Sequence, residues 1–271
     1  MKGIEAAEHN LRYLEELALQ PTLVGRVDPT VKLLTTLIFS VVVASFSRYA
    51  LLELLPLVFY LLVLIILGEL PVGYLMKRVM WAAPFALFVG IGNLFLDHSP
   101  VLNLNGVVIT GGWISFTTIM MKFTLTVLAV LILIATTGIN QIGAALYRIR
   151  LPRIWVGQLL FLYRYLFVLL EESNRMIRAY TLRSGEKRGV HAQAWGSLLG
   201  QLLLRTYDRA HRIHQAMLCR GYEGKLPVLR RSRLRLADGI FFAGWSVFFL
   251  LVRCVNLPQI MGDFWWKVVL K

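Results

Sequence analysis

Arginine side chains recur at a fixed spacing between residues 171 and 221, and guanidinium groups are suited to binding acidic or polar surfaces. The pattern Arg-x3-Ala-x3-Arg occurs twice, 37 residues apart, and a small residue follows each copy. On a helix, a spacing of four puts such residues on one face. The pattern predicts two helices that present their C-terminal ends to another protein. The docking residues would be Arg175, Ala179, Arg183 and Ser184 in the first copy, and Arg212, Ala216, Arg220 and Gly221 in the second.

A simpler interpretation is that arginines near a helix C-terminus are favoured by the helix dipole. That interpretation accounts for Arg183 and Arg220 one at a time. It does not account for the repeat, with an alanine between the two arginines of each copy. Docking is therefore favoured, and Cys219, inside the second copy, is interpreted as a small contact residue.

Residue clusters that could carry out catalysis are not found. His211 and His214, with Asp208 one turn earlier, could suggest a metal site, but three arginines surround them and disfavour a cation: Arg205, Arg209 and Arg212. There is no glycine-rich phosphate-binding loop, so any dependence on ATP must come from another subunit. The sequence predicts no catalytic residue, no metal ligand and no cofactor bound by this chain.

The composition is typical of an integral membrane protein. Of the 271 residues, 57% are hydrophobic and 16% charged, whereas a soluble domain has about 25% charged residues. Residues 138–235 contain 18 of the 29 Lys and Arg but only 5 acidic residues. The positive-inside bias places this segment in the cytoplasm. Its interleaved apolar helices favour the lipid bilayer and a protein partner over nucleic acid.

The predicted fold is an all-α membrane protein with about five transmembrane helices and two long cytoplasmic helices. Residues 1–30 form an interfacial segment with a short helix at 4–19. Residues 31–137 hold four spans, 138–235 form the cytoplasmic domain, and 236–271 hold the last span and an external tail. Asp28 is predicted to cap the first membrane helix, with Pro29 at its first position. The spans are predicted at 33–46, 51–67, 79–96, 113–137 and 236–255, with loops at 68–78 and 97–112.

Two long helices are predicted in the basic segment, at 153–184 and 190–221. The apolar run within 154–170 could be a further span. However, Arg164 would then lie near the bilayer centre, at a cost of roughly 3 kcal/mol, and the flanking arginines would lie on opposite sides of the membrane. We interpret this run as part of a helix that lies along the cytoplasmic face.

Lys122 lies well within the fourth predicted span. It could snorkel or face a packed interior, or it could belong to an ion pathway, since a charge inside a span is a functional hint. No acidic partner is evident in the sequence. A packed or snorkelling lysine is the favoured interpretation.

The two arginine patterns resemble the paired arginine signatures of the transmembrane (T) component of energy-coupling-factor transporters. Further similarity to the cobalt-transport (CbiQ) branch covers nearly the whole chain from about residue 20. It includes Asp28-Pro29-Thr30-Val31-Lys32-Leu33, Gly112-Trp113-Ile114-Ser115-Phe116 and Ala135-Thr136-Thr137. The chain departs from the pattern at Thr30, where a basic residue is frequent, and at Ser184, where Gly is common.

This resemblance implies a function. The two long helices would be coupling helices whose ends insert into grooves on two ATPase subunits, which bind the ATP and Mg. Arg183 and Arg220 would grip these ATPases in a bacterial or archaeal cell membrane. The motion would pass to a separate substrate-binding membrane subunit that captures cobalt or sometimes nickel.

Two other functions are alternatives for a basic, multi-span membrane protein. A membrane enzyme acting on phosphorylated lipids would need a carboxylate–metal cluster, which Asp208 and Glu223 do not supply. A self-sufficient transporter would need repeated spans or polar groups at the membrane midplane, and Lys122 is the one candidate for such a group.

Overall fold

The structure is a computed structural model, and it describes residues 12–48, 50–96, 100–104, 107–184, 190–222 and 235–254. Residues 12–19 form α1. The later elements are α2 Pro29–Ser45, α3 Leu55–Leu67, α4 Val72–Leu96, β1 Pro100–Leu104, β2 Val107–Thr110, α5 Gly111–Thr137, α6 Ile139–Arg148, α7 Arg153–Ser184, α8 Ala192–Cys219 and α9 Leu236–Cys254.

The chain divides into two compact units. The basic unit comprises Met1–Glu16 and Ile139–Arg231, and the bundle unit comprises Leu17–Gly138 and Ser232–Lys271. The basic unit contains α6, α7 and α8. The bundle unit contains α2 to α5, the β-hairpin and α9.

The predicted all-α membrane fold is confirmed, since each predicted span corresponds to one apolar helix. Within the described residues, four helices are long and apolar enough to cross a bilayer: Val72–Gly92, Gly111–Thr137, Arg153–Ser184 and Leu236–Cys254. The apolar helices Pro29–Ser45 and Leu52–Leu67 are shorter. By length and composition, α7 therefore also qualifies as a span, although the sequence favoured a position along the membrane surface.

Three helix ends of the bundle unit meet in a buried polar network. The Asp28 carboxylate accepts a hydrogen bond from the Thr30 amide at 2.8 Å and so caps α2, as predicted. Asp238, in the first turn of α9, accepts from the Asp28 amide at 2.9 Å and from the Arg235 amide at 2.8 Å. Lys32 donates to the Thr136 carbonyl at the C-terminal end of α5, at 2.9 Å. Helix N-termini thus receive carboxylates and a C-terminus receives a cation, as the helix dipoles favour.

Aromatic side chains fill the space between α2, α3 and α9. Phe39, Tyr60 and Phe249 are at most 1% exposed. The Tyr60 ring lies 4.9 Å from Phe39 and 5.0 Å from Phe249, the latter edge-to-face. Trp245 completes the cluster with an edge-to-face contact to Tyr60 at 4.7 Å. Such geometry adds to the stabilisation from area burial, so this cluster holds the three helices together.

The opposite end of α2 is held by two cations. Lys122 of α5 donates to the Phe46 carbonyl at 2.6 Å and approaches the Ala44 carbonyl at 3.5 Å. Arg253 of α9 donates to the Ser45 hydroxyl at 3.3 Å, and its guanidinium lies 5.1 Å from the centre of the Phe46 ring. Carbonyl groups at a helix C-terminus lack intrahelical donors, and these cations supply them.

Two of the predicted spans begin differently in the structure than the sequence predicted. The second starts with a 3-10 turn, Leu52–Leu54, and Pro56 then occupies the first turn of α3. Pro56 therefore interrupts no hydrogen bond, because the first helical amides have no intrahelical acceptor. The third begins at Val72 rather than at residue 79, so most of the predicted 68–78 loop is helical. Arg78 therefore lies on this helix, where it donates to the Tyr74 hydroxyl at 2.7 Å.

Two elements of the structure were not predicted from the sequence. The loop predicted at 97–112 contains an antiparallel β-hairpin, with Leu104 opposite Val107 and Pro100 opposite Thr110. Helix α6, in turn, was not predicted between the fourth span and α7. Other predictions lie outside the described residues: the part of the N-terminal helix at 4–11, the turn at 186–188, the connector at 223–234 and the external tail.

Within the basic unit, α6 packs closely against α7. A Cβ atom on Gly143 would lie 2.6 Å from the end of the Leu160 side chain, so a larger residue would require Leu160 to move. The Arg153 guanidinium lies 5.6 Å from the centre of the Tyr147 ring. These contacts position the start of α7 and hence the direction in which its arginine-bearing end extends.

Replacing Asp238 with alanine should destabilise the bundle unit. The variant leaves the buried Asp28 amide without its acceptor, which we expect to cost about 3 kcal/mol. Asp238→Asn retains one amide oxygen and should lose less. Thermal unfolding of the purified protein in detergent measures both, and an alanine variant as stable as the wild type would show that the network contributes little.

Candidate functional site

The first arginine pattern occupies the last third of α7. Arg183 lies in the final turn of this helix, which ends at Ser184. The Ser184 hydroxyl approaches the Thr181 carbonyl at 3.4 Å, so it contributes to the helix end itself. The sequence placed the end of this helix at the same residue, because Ser184-Gly185 is a helix-stopping pair.

The second pattern ends at a well-defined helix cap. Helix α8 ends at Cys219, and Arg220 is its C-cap residue. Gly221 follows with φ +78, in the left-handed region. The Tyr222 amide donates to the Met217 carbonyl, and the Gly221 amide donates to the Leu218 carbonyl, both at 3.0 Å. This Schellman arrangement requires a residue that tolerates positive φ, so Gly221 fixes where the helix stops and where Arg220 is presented.

The residues of both arginine patterns are accessible to a partner in the described part of the basic unit. All eight predicted docking residues are exposed: Arg175, Ala179, Arg183, Ser184, Arg212, Ala216, Arg220 and Gly221. The first set of four lies on α7, whereas the second begins on α8 with Arg212 and Ala216 and continues into its C-terminal cap. The structure also gives α8 no buried residue, so much of this helix is exposed.

One contact that the sequence did not reveal joins the two helices. Arg205 of α8 donates to the Glu172 carboxylate of α7 at 2.7 Å. Glu172 also forms an ion pair with Arg175 of its own helix, at 3.7 Å. Arg175 thus also has a partner within the chain, and its role in docking stays a prediction. A spacing of three between Glu172 and Arg175 could have signalled this pair.

The histidines of α8 lie on its exposed surface. The His211 ring nitrogen lies 3.0 Å from the Gln215 side-chain amide. A shallow surface depression next to it is lined by Tyr207, Asp208, His211 and Arg212. In the part of the chain that the structure describes, no three His, Cys, Asp or Glu side chains converge on a common point that could hold a metal ion.

Lys122 lies where α2 ends, although it occupies the middle of α5. Its amine contacts the carbonyls of Ala44 and Phe46. The structure thus gives this partly exposed lysine backbone carbonyls as its partners.

These features define the class of the protein: a multi-pass membrane protein with two long helices whose arginine-bearing ends are exposed. Comparison with known proteins adds the family. The profile of the cobalt transport protein family, CbiQ, matches residues 20–229. The chain belongs to this family, and the resemblance to the T component of energy-coupling-factor transporters is confirmed.

Individual relatives agree with the family match. The chain is 27% identical to an energy-coupling factor transporter transmembrane protein of Bacillus subtilis over 222 residues, which cover 75% of this chain and 82% of that protein. It is 23% identical to the protein of the same name from Ruminiclostridium cellulolyticum over 247 residues, or 84% and 91% of the two chains. A cobalt transport protein of Rhodobacter capsulatus is 31% identical over 98 residues, or 36% and 40%.

Replacing Lys122 with methionine should lower stability and leave transport intact. The variant removes the donor to the Phe46 carbonyl, at an expected cost of about 2 kcal/mol in unfolding free energy. Lys122→Arg keeps a cation and should lose less. Thermal unfolding and transport per folded complex are measured together. Unchanged stability with abolished transport would instead assign Lys122 to an ion pathway.

Proposed function

We propose that this chain is the energy-coupling transmembrane subunit of an importer for cobalt, or for nickel. In this function, α7 and α8 are coupling helices that dock onto two cytoplasmic ATPase subunits. ATP and Mg are bound by those partners. The resulting motion passes through this chain to a separate substrate-binding membrane subunit that captures the metal.

The observation that carries the proposal is the form of the two helix ends. Arg183 and Arg220 lie within one residue of the last residue of α7 and α8, respectively, and both are exposed. An arginine at a helix end has a guanidinium fork that can enter an acidic groove, where paired hydrogen bonds give geometric specificity. Ala179 and Ala216 leave room for a groove wall beside each arginine, because an alanine side chain does not extend beyond the helix surface.

The structure of α8 supports a mechanical function rather than a catalytic one. Its 28 residues form one unbroken helix of about 42 Å, and such a helix transmits displacement along its length. The two alternatives from the sequence gain no support. The described residues supply no carboxylate–metal cluster for an enzyme, and Lys122 is engaged by backbone carbonyls rather than by a pathway of polar side chains.

Charge reversal at the helix ends tests the docking. Arg183→Glu and Arg220→Glu should each weaken ATPase binding by about 100-fold, because a guanidinium in a groove would be replaced by a repelled carboxylate. The measurement is binding of purified ATPase to the purified membrane subunit, with metal uptake into proteoliposomes as a second readout.

The matched control is Arg178→Glu. Arg178 is exposed on α7 and undergoes the same charge change, but it lies about 140° around the helix from Arg183. It should bind ATPase like the wild type. If both helix-end variants retained wild-type binding and uptake, Arg183 and Arg220 would not be the docking residues.

The choice of metal should follow the substrate-binding subunit. Complexes are assembled from this chain and the same ATPases, with a substrate-binding subunit selective for either Co(II) or Ni(II). Uptake measured with both metals should switch with that subunit, because the proposed function gives this chain no metal ligands. A preference that stayed the same in both complexes would place metal selection in the chain itself.

A further inference from the structure

One carboxylate takes part in the contact between the two long helices of the basic unit. Glu172 of α7 accepts a hydrogen bond from Arg205 of α8 at 2.7 Å, and the residues lie 33 positions apart in sequence. The Glu172 side chain is 18% exposed, whereas that of Arg205 is 57% exposed. The carboxylate is therefore partly shielded from water, which strengthens its interaction with a cation.

Apart from the ion pair, α8 has only partly covered side chains in the basic unit. The structure gives this helix no buried residue, and large apolar side chains such as Leu203 and Leu204 are about two-thirds exposed. A helix held over a short crossing without a packed core can turn about that crossing. A directional contact at this point, such as a short charged hydrogen bond, then restricts the angle.

The ion pair also lies on the same helix faces as the arginine patterns. Glu172 precedes Arg175, Ala179 and Arg183 by three, seven and eleven residues. Arg205 precedes Arg212, Ala216 and Arg220 by seven, eleven and fifteen residues. Separations of this kind keep residues within one helical face.

The crossing is remote from both helix ends. With a rise of 1.5 Å per residue, Arg183 lies about 16 Å along α7 from Glu172, and Arg220 lies about 22 Å along α8 from Arg205. Rotation of α8 by about 10° at the crossing would move its end by roughly 4 Å. That displacement exceeds the tolerance of a hydrogen bond, so the crossing angle decides whether both ends fit their partners at once.

We propose that Glu172 and Arg205 are positioning residues, whose ion pair sets the crossing angle of α7 and α8 and thereby the spacing of the two arginine-bearing ends. The proposal rests on the proposed function for its consequence, since the spacing matters when two ATPases are bound. The pair itself is a property of this chain alone.

Glu172 is also shared between the two helices. It accepts Arg205 from α8 and lies 3.7 Å from Arg175, a member of the first arginine pattern. When an acidic partner attracts Arg175, the carboxylate remains with Arg205 alone. Docking at α7 would then strengthen the crossing contact, and the two helices would move as one body.

The crossing angle is tested first, on the isolated chain in lipid nanodiscs. Spin labels are placed on the native Cys219 of α8 and on Leu182→Cys of α7, in a background in which Cys254 is replaced by serine. Both labelled positions are exposed near the helix ends. Pulsed electron spin resonance then gives the distribution of distances between the two labels.

Glu172→Arg and Arg205→Glu should each shift or broaden this distance distribution by about 5 Å, because like charges would face each other at the crossing. The double variant Glu172→Arg/Arg205→Glu restores an opposite pair and should return most of the wild-type distribution. The control Glu171→Arg makes the same charge change on a neighbouring exposed residue and should leave the distribution unchanged. Wild-type distances in both single variants would overturn the proposal.

The consequence for coupling is tested in the complete complex in proteoliposomes. Metal uptake per ATP hydrolysed should fall about fivefold in each single variant and recover at least in part in the double variant. ATPase should still copurify, because Arg183 and Arg220 are intact. Altered distances with unchanged uptake per ATP would refute the link between crossing angle and coupling. The helix-end charge reversals test the proposed function separately, since they leave Glu172 and Arg205 in place.

Discussion

The bundle unit depends on a buried arrangement in which helix ends receive charges of the sign that their dipoles favour. Asp28 caps α2, Asp238 accepts from the Asp28 and Arg235 amides at the start of α9, and Lys32 donates to the last turn of α5. Asp28, Lys32 and Asp238 are each no more than 4% exposed. Charges so deeply buried are tolerated only when they are paired and hydrogen-bonded. Here they link the ends of α2, α5 and α9 and so fix the positions of these helices along one another.

Charged side chains also bind the other end of α2, where Lys122 donates to the Phe46 carbonyl and Arg253 donates to the Ser45 hydroxyl. Between these two polar ends lies the aromatic cluster around Tyr60. Polar contacts therefore fix the positions of the helices along one another, and aromatic packing buries apolar surface between them.

The basic unit is built differently. Its α8 has no buried residue, and its link to α7 includes the Glu172–Arg205 ion pair. Such exposure suits the proposed docking of these helices onto partners.

How far the sequence predicted this structure depends on the range of each interaction. Local signals succeeded. The Asp28-Pro29 cap lies within three residues of the amide that it binds, and the predicted bounds of α7 agree with the structure because Pro152 and Ser184-Gly185 punctuate them. Contacts between distant residues escaped prediction: Asp238 binds the Asp28 amide across 210 positions and Arg205 binds Glu172 across 33. Neither residue stands in a pattern that indicates its partner.

For the candidate site, the sequence supplied the residues and their faces but not their surroundings. The repeat predicted the two helix ends, and the structure adds the Schellman cap that makes Gly221 a stop signal. It also shows Arg175 paired with Glu172. The repeat alone did not indicate this pair, because it treats the eight docking residues as equivalent. Helix α6 was missed because ten residues with several small side chains give only a short periodic signal.

Protection of one native cysteine tests the central claim, that these helix ends are buried by ATPases. Cys219 is exposed beside Arg220, and Cys254 can be replaced by serine so that a maleimide reports on Cys219 alone. The account predicts rapid labelling of the isolated chain and protection when the ATPases are bound, with labelling restored in Arg220→Glu. Equally rapid labelling of Cys219 in an intact, ATPase-containing complex would contradict it.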